Sequence, residues 1–224
     1  DTHSADDVQS EPGDTAEPED TAAPEDTAPE DTAAPEDTAA PEDTAAPEDT
    51  GATWKPAPAK LGGEREADYW VPEAYSHDKA WPVIVLLHGY SANALAQTAY
   101  LDMFKIVDER GFLLITPDGT LNSEQKRFWN ATDKCCDFEK TGVDDVAYLL
   151  GLVDELAESF NVDPERLYFM GHSNGGFMSY RLACEIPQRL SALVSMAGSG
   201  WLDGANCNNH ETPVSVLQVH GTLD

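Results

Sequence analysis

Residues 167–176, Leu-Tyr-Phe-Met-Gly-His-Ser-Asn-Gly-Gly, constrain this 224-residue chain more than any other stretch. The four apolar residues predict a short buried strand. Glycines follow at once, and then an apolar-periodic segment begins that reads as a helix. Gly171-His172-Ser173-Asn174-Gly175 fits the Gly-x-Ser-x-Gly pattern of a sharp strand-to-helix turn. Such a turn is strained, and its flanking positions lie too close to neighbouring backbone to carry side chains. It lifts the serine hydroxyl above the end of a sheet and aims the helix N-terminus at the place where an oxyanion would form. The alternative is a glycine-rich loop of a Rossmann-like protein. The second glycine at Gly176, the strand before and the helix after favour the serine turn.

The chain around this turn alternates strands and helices. Residues 67–72 predict an early edge strand that Pro72 ends. Residues 82–87, Pro-Val-Ile-Val-Leu-Leu, are apolar on both faces, as central parallel strands are. They run into His88-Gly89-Tyr90. Residues 92–109 carry Leu95, Tyr100, Met103, Phe104 and Val107 at helical spacing, with Gly111 as the expected stop. Residues 113–116 form the next strand, and a long loop spans 120–141. Residues 142–160 give the clearest helix, with Val143, Val146, Ala147, Leu150, Val153, Leu156 and Phe160 on one stripe. Asp144 and Asp145 sit in its first turn, where carboxylates favour the dipole. Residues 161–166 read as a turn. After the serine turn come a helix over 175–185 and strands over 190–197 and 214–220. This order predicts an α/β fold, a mostly parallel sheet with helices on both faces.

Residues 1–53 have a different character. From Pro18 the unit Pro-Glu-Asp-Thr-Ala-Ala repeats, with one five-residue copy, through Thr50. This segment holds eighteen acidic residues and no Lys or Arg, so it supplies over half of the net charge of −29. It has almost nothing to bury against the entropy of ordering, and it reads as a disordered, extended spacer. Residues 54–224 form the folded domain, where 24 acidic residues meet 13 basic ones. The charge argues against nucleic acid or an anionic membrane surface as a partner. There is no transmembrane segment or visible signal peptide, and the chain reads as a mature product or a fragment. A spacer of this kind suits a domain held off a cell surface by an N-terminal anchor that this sequence does not contain. Four cysteines, Cys135, Cys136, Cys184 and Cys207, fit two disulfides in an exported protein. Three pairings are open, and strain between neighbours leads us to expect Cys135 and Cys136 each to reach elsewhere. The absence of paired Cys-x-x-Cys ligands argues against a metal.

Leu-Leu-His-Gly, Thr-Pro-Asp-Gly-Thr, Phe-Trp-Asn with Cys135-Cys136, Gly-Val-Asp-Asp-Val, Ser-Asn-Gly-Gly-Phe-Met-Ser-Tyr-Arg-Leu-Ala-Cys and His-Gly-Thr-Leu-Asp stand here in sequence. Together they resemble the polyhydroxybutyrate depolymerase family of α/β-hydrolases, with its related secreted feruloyl and acetylxylan esterases. The resemblance covers roughly residues 80–224. It implies that Ser173 is the nucleophile of an acyl-enzyme mechanism. The backbone N–H groups of Asn174 and Tyr90 would form the oxyanion hole. Asp224 would orient the catalytic histidine, and Trp129 is a candidate for lining an acyl or aromatic pocket, with loop packing as the alternative. No cofactor is implied, because the serine mechanism needs none.

One departure stands out. The family's histidine follows the aspartate by some tens of residues, and this chain ends at Asp224. His3, His77, His88, His172, His210 and His220 are poor replacements by position. We therefore expect a record cut short of a longer enzyme, with a C-terminal strand and helix missing. The leading reading is an exported serine esterase acting on polyhydroxyalkanoate or on feruloyl or acetyl esters of polysaccharide. The alternative is a non-catalytic surface binding module with a degenerate hydrolase fold. Acyl transfer to another alcohol is a variant of the first, since water access alone separates the two reactions.

Overall fold

The computed structural model describes residues 53–207 and 212–222. Their centre is a six-stranded sheet in the order β1-β3-β2-β6-β7-β8. β1 (Ala67–Trp70) runs antiparallel to β3 (Leu113–Pro117) at one edge. β2 (Trp81–Leu87), β3, β6 (Val162–His172), β7 (Ala192–Met196) and β8 (Ser215–Val219) are parallel. The apolar run of β2 is explained by its place between β3 and β6, buried on both faces. β8 is the opposite edge among the described residues. Its Val216, Leu217 and Val219 are all about half exposed.

Period-two alternation divides the core. Val83, Val85, Leu87, Ile115, Leu167 and Phe169 point to one face, under α3 (Asp145–Ser159) and α4 (Asn174–Glu185). Leu86, Leu114, Ile84 and Met170 point to the other, where they meet Met103 and Val107 of α2 (Met103–Arg110). Helices therefore cover both faces, as the alternating pattern requires.

Three expectations about helices and strands need correction. The single helix over 92–109 is two, α1 (Ala94–Tyr100) and α2, because Asp102 takes a left-handed conformation with φ 52°. The break leaves Leu95 and Tyr100 in solvent, 66% and 77% exposed. The stripe of α3 is rotated relative to expectation: Leu149, Leu152 and Leu156 are the buried centre, while Ala147 is exposed. Residues 162–166, read as a turn, belong to the irregular start of β6. The loop 120–141 also contains a small hairpin, β4 (Thr120–Leu121) and β5 (Arg127–Phe128). Other expectations hold: Gly111 closes α2 with φ 69°, and Asp144 caps α3 by accepting from Ala147 N–H.

The cysteines pair as Cys184–Cys207 and Cys135–Cys136. The expectation that the adjacent pair reaches elsewhere fails because Cys184, on α4, is already joined to the loop after β7. The α4 bridge has an S–S distance of 2.05 Å and closes a sequence separation of 23.

Asp145 is wholly buried at the start of α3. Its Oδ1 accepts from Arg65 Nη1 at 2.6 Å and its Oδ2 from the Asn130 N–H at 2.7 Å. Arg65 also lies over the Tyr148 and Trp129 rings and donates twice to the Asp118 carbonyl. Removing Asp145 leaves a largely buried guanidinium without its partner, which costs about 3 kcal/mol or more. Urea unfolding of Asp145→Ala should show that loss, whereas Lys105→Ala, at an exposed pair with Glu109, should change stability by less than about 1 kcal/mol.

Candidate active site

The carboxyl end of β6 runs straight into α4 through Ser173, whose backbone sits at φ 50° and ψ −117°. This is a sparsely populated conformation for a residue with a side chain, and such strain persists only where the surroundings enforce it. They do so through missing side chains. A Cβ on Gly171 would lie 2.1 Å from the Gly175 carbonyl group, and one on Gly175 would lie 2.3 Å from the Leu87 carbonyl oxygen. β2, β6 and the first turn of α4 therefore meet backbone to backbone. The Ser173 N–H donates to Met196 O at 2.7 Å, which ties the turn to β7. Ser173 is partly exposed at the end of the sheet.

The His88-Gly89-Tyr90 loop lies against this turn. A Cβ on Gly89 would stand 3.4 Å from Ser173 Cβ and 3.3 Å from His172 Nδ1, so glycine lets the two loops touch. The residues after each contact, Tyr90 and Asn174, bring their backbone N–H groups to the same end of the sheet. Neither N–H has an acceptor among the described residues. The Asn174 N–H is one of the helix-terminal amides that lack an intrahelical partner, and the α4 dipole adds to it.

The Asn174 side chain has a separate task that sequence reasoning missed. It is fully buried, its Oδ1 accepts from Trp129 N–H at 2.7 Å, and its Nδ2 donates to Trp129 O at 3.0 Å. This two-way pairing fixes loop 129–130 on the start of α4. The clue was available only as the Phe-Trp-Asn motif, whose partner lies 45 residues away.

Trp129 does not line a pocket, contrary to the expectation. It is 0% exposed, its Nε1–H donates to His88 O at 2.9 Å, and its ring packs on His88 and under Arg65. A buried tryptophan whose one donor is already satisfied has no surface to offer a ligand.

His88 is likewise wholly buried. Its Nε2 accepts from the Gly119 N–H at 2.9 Å, so the proton sits on Nδ1, which donates to Gly89 O at 2.7 Å. Burial pushes its pKa below the usual 6.5, despite opposing contributions from the Gly89 carbonyl and Asp118. His88 is thus a neutral stitch between the β2 and β3 loops. His172 is beside Ser173 in sequence, and its ring faces Tyr100 across 6.3 Å. His77 bonds to Ser159 O, and His220 Nδ1 lies 2.9 Å from Gln218 Nε2. No histidine bonds to the Ser173 hydroxyl among the described residues. Asp224, His210 and His3 lie outside those residues. The last described strand, β8, ends at Val219, level with the ends of β6 and β7.

Two outcomes follow from this geometry. Gly175→Ala forces a Cβ into the Leu87 carbonyl, and circular dichroism and thermal melting should show a protein that folds poorly or not at all. For His88, the folded-state pKa is depressed, so only the unfolded chain takes up the proton near pH 6.5. Its stabilisation is therefore complete above pH 6.5 and is lost as pH falls below that value. Tm should drop between pH 7.5 and pH 5, with a shallower slope in His88→Gln.

Comparison with known proteins agrees with the fold. Residues 73–221 match the family model described as Chlorophyllase. The feruloyl esterase B of Piromyces equi is 27% identical over 156 residues, covering 68% of this chain and 28% of its own length. The bifunctional acetylxylan esterase/xylanase XynS20E of Neocallimastix patriciarum is 22% identical over 163 residues, covering 73% and 22%. The chain thus spans less than a third of either relative. The crystal structure of the Bacillus cereus carboxylesterase superposes with a TM-score of 0.51 at 20% identity, covering 70% of this chain and 71% of that one, which shows the shared fold. The chain belongs to the chlorophyllase family, with the α/β-hydrolase fold and the resemblance to feruloyl and acetylxylan esterases that its motifs carry.

Proposed function

We propose that this protein is an exported serine hydrolase of carboxylic esters, acting on feruloyl or acetyl groups carried by polysaccharide. The observation that carries the reading is the strained Ser173 turn with two backbone donors, Tyr90 N–H and Asn174 N–H, that have no acceptor among the described residues. Ser173 Oγ attacks the ester carbonyl, and the developing oxyanion accepts from those two N–H groups. The alcohol leaves, and water then resolves the acyl-enzyme. Asp224 orients the histidine that takes the Ser173 proton. That base is assigned to no described residue. The polysaccharide ester is favoured over polyhydroxyalkanoate by the relatives named above, a feruloyl esterase and an acetylxylan esterase.

Two disulfides support an oxidising compartment. No described helix is long and apolar enough to cross a membrane. The repeated acidic unit of residues 1–53 supports reading that segment as a spacer.

A second reading, a binding module with a degenerate site, is favoured by one observation: no histidine bonds to the Ser173 hydroxyl among the described residues. The two readings separate on rate. In the protein as its gene encodes it, Ser173→Ala should lower kcat/KM for p-nitrophenyl acetate and methyl ferulate by at least about a thousandfold, with Tm unchanged. Equal rates in the two proteins would refute the esterase reading.

A further inference from the structure

The ester chemistry leaves one neighbour of Ser173 without a task. Side chains alternate along β6, so His172 shares the face of Met170, the one that α2 covers. Its ring still lies beside the nucleophile. His172 Nδ1 and Ser173 Cβ stand 3.3 Å and 3.4 Å from the point that a Gly89 Cβ would occupy.

The polar atoms of this ring are open. His77, His88 and His220 each bond through a ring nitrogen. His172 is half-buried, and no described residue hydrogen-bonds to either of its nitrogens. Those nitrogens are also absent from the buried side-chain polar atoms that lack a partner, so they reach solvent rather than being sealed in the core.

Tyr100 faces His172 with ring centroids 6.3 Å apart and planes inclined by 42°. At 77% it is the most exposed large apolar residue among those described. Its helix is firmly placed. Asn93 Oδ1 accepts from the Ala96 N–H and Asp118 Oδ1 from the Ala94 N–H, both at 2.8 Å, and Gln97 and Thr98 are buried. Asp102 then turns the chain into α2 in a left-handed conformation, with no side-chain cap to compensate it. Backbone held in this way collects at ligand sites. A preset aromatic face and a ring with free polar atoms therefore stand together at the edge of the Ser173 turn.

We propose that Tyr100 and His172 form a subsite for an aromatic ring on the acyl side of the ester, one that carries oxygen substituents as a feruloyl group does. The substrate ring packs on the Tyr100 ring, and its hydroxyl or methoxy oxygen hydrogen-bonds to a His172 nitrogen. An acetyl group is too short to reach Tyr100. A saturated acyl chain would cover Tyr100 and leave the His172 nitrogens unmatched. The proposal rests on the esterase reading and narrows it, from feruloyl or acetyl esters to aromatic ones.

The test compares methyl ferulate, methyl cinnamate and methyl acetate, which share one leaving group, on the protein as its gene encodes it. Tyr100→Ala should lower the ferulate-to-acetate ratio of kcat/KM by about tenfold or more at unchanged Tm, and Tyr100→Phe should retain most of that ratio. His172→Phe keeps a ring without nitrogens, and it should lower the ferulate-to-cinnamate ratio. Leu95→Ala, at an exposed residue of the same helix, should leave both ratios as they are. Phenyl acetate, with its ring on the alcohol side, reports the opposite placement. The proposal is overturned by an unchanged ferulate-to-acetate ratio in Tyr100→Ala, by an equal change in Leu95→Ala, by a ferulate-to-cinnamate ratio that His172→Phe does not move, or by a loss confined to phenyl acetate. Failure of the esterase reading would appear separately, as an unsubstituted protein that hydrolyses none of these esters. Binding then decides the subsite: in an NMR titration at millimolar concentration, methyl ferulate should bind the unsubstituted protein and not Tyr100→Ala, and no binding or equal binding would overturn it.

Discussion

The structure depends on a contact too close for any side chain. β2, β6 and the first turn of α4 touch through Leu87, Gly171 and Gly175, where a Cβ would fall 2.1 to 2.3 Å from a neighbouring backbone atom. Glycine makes the approach sterically allowed. The approach in turn forces Ser173 into its positive-φ conformation, because strand and helix can be joined over so short a distance in few other ways. The hydroxyl at the end of the sheet, the exposed helix N-terminus and the nearness of the His88-Gly89-Tyr90 loop all follow from that one constraint.

A second layer holds the loops that the glycines bring together, and it is polar and buried. Asn174 pairs with the Trp129 backbone, and Trp129 donates to the His88 carbonyl. His88 accepts from Gly119, and Arg65 links the Asp118 carbonyl to Asp145. Asp145 then accepts from Asn130, next to Trp129. The chain of bonds closes on itself around the loops that follow β2, β3 and β5. Each member is satisfied by another, which is the condition under which buried polar groups specify a structure rather than weaken it.

This division explains what the sequence makes legible. The serine turn, the capping Asp144, the stop at Gly111 and the two-faced burial of β2 are governed by neighbours a few residues away, and local pattern reveals them. The break at Asp102 is also local, but nothing in the apolar spacing announces a left-handed residue between two short helices. Trp129, Asn174, Arg65 and Asp145 owe their roles to partners 41 to 80 residues distant. Their types gave no sign of which would face substrate and which would be buried, so Trp129 resembled a pocket residue and is a core one. The cysteines follow the same rule, since pairing depends on how the loop after β7 returns to α4.

The central claim is that Ser173 is the nucleophile, and covalent capture tests it most directly. The protein as its gene encodes it would be incubated with a fluorophosphonate, and intact mass and peptide mapping would follow. The account predicts a single adduct, on the peptide that contains Ser173, formed by the folded protein and not by protein denatured before the probe is added. A folded protein that takes up no adduct, or takes it up at another residue, would contradict it.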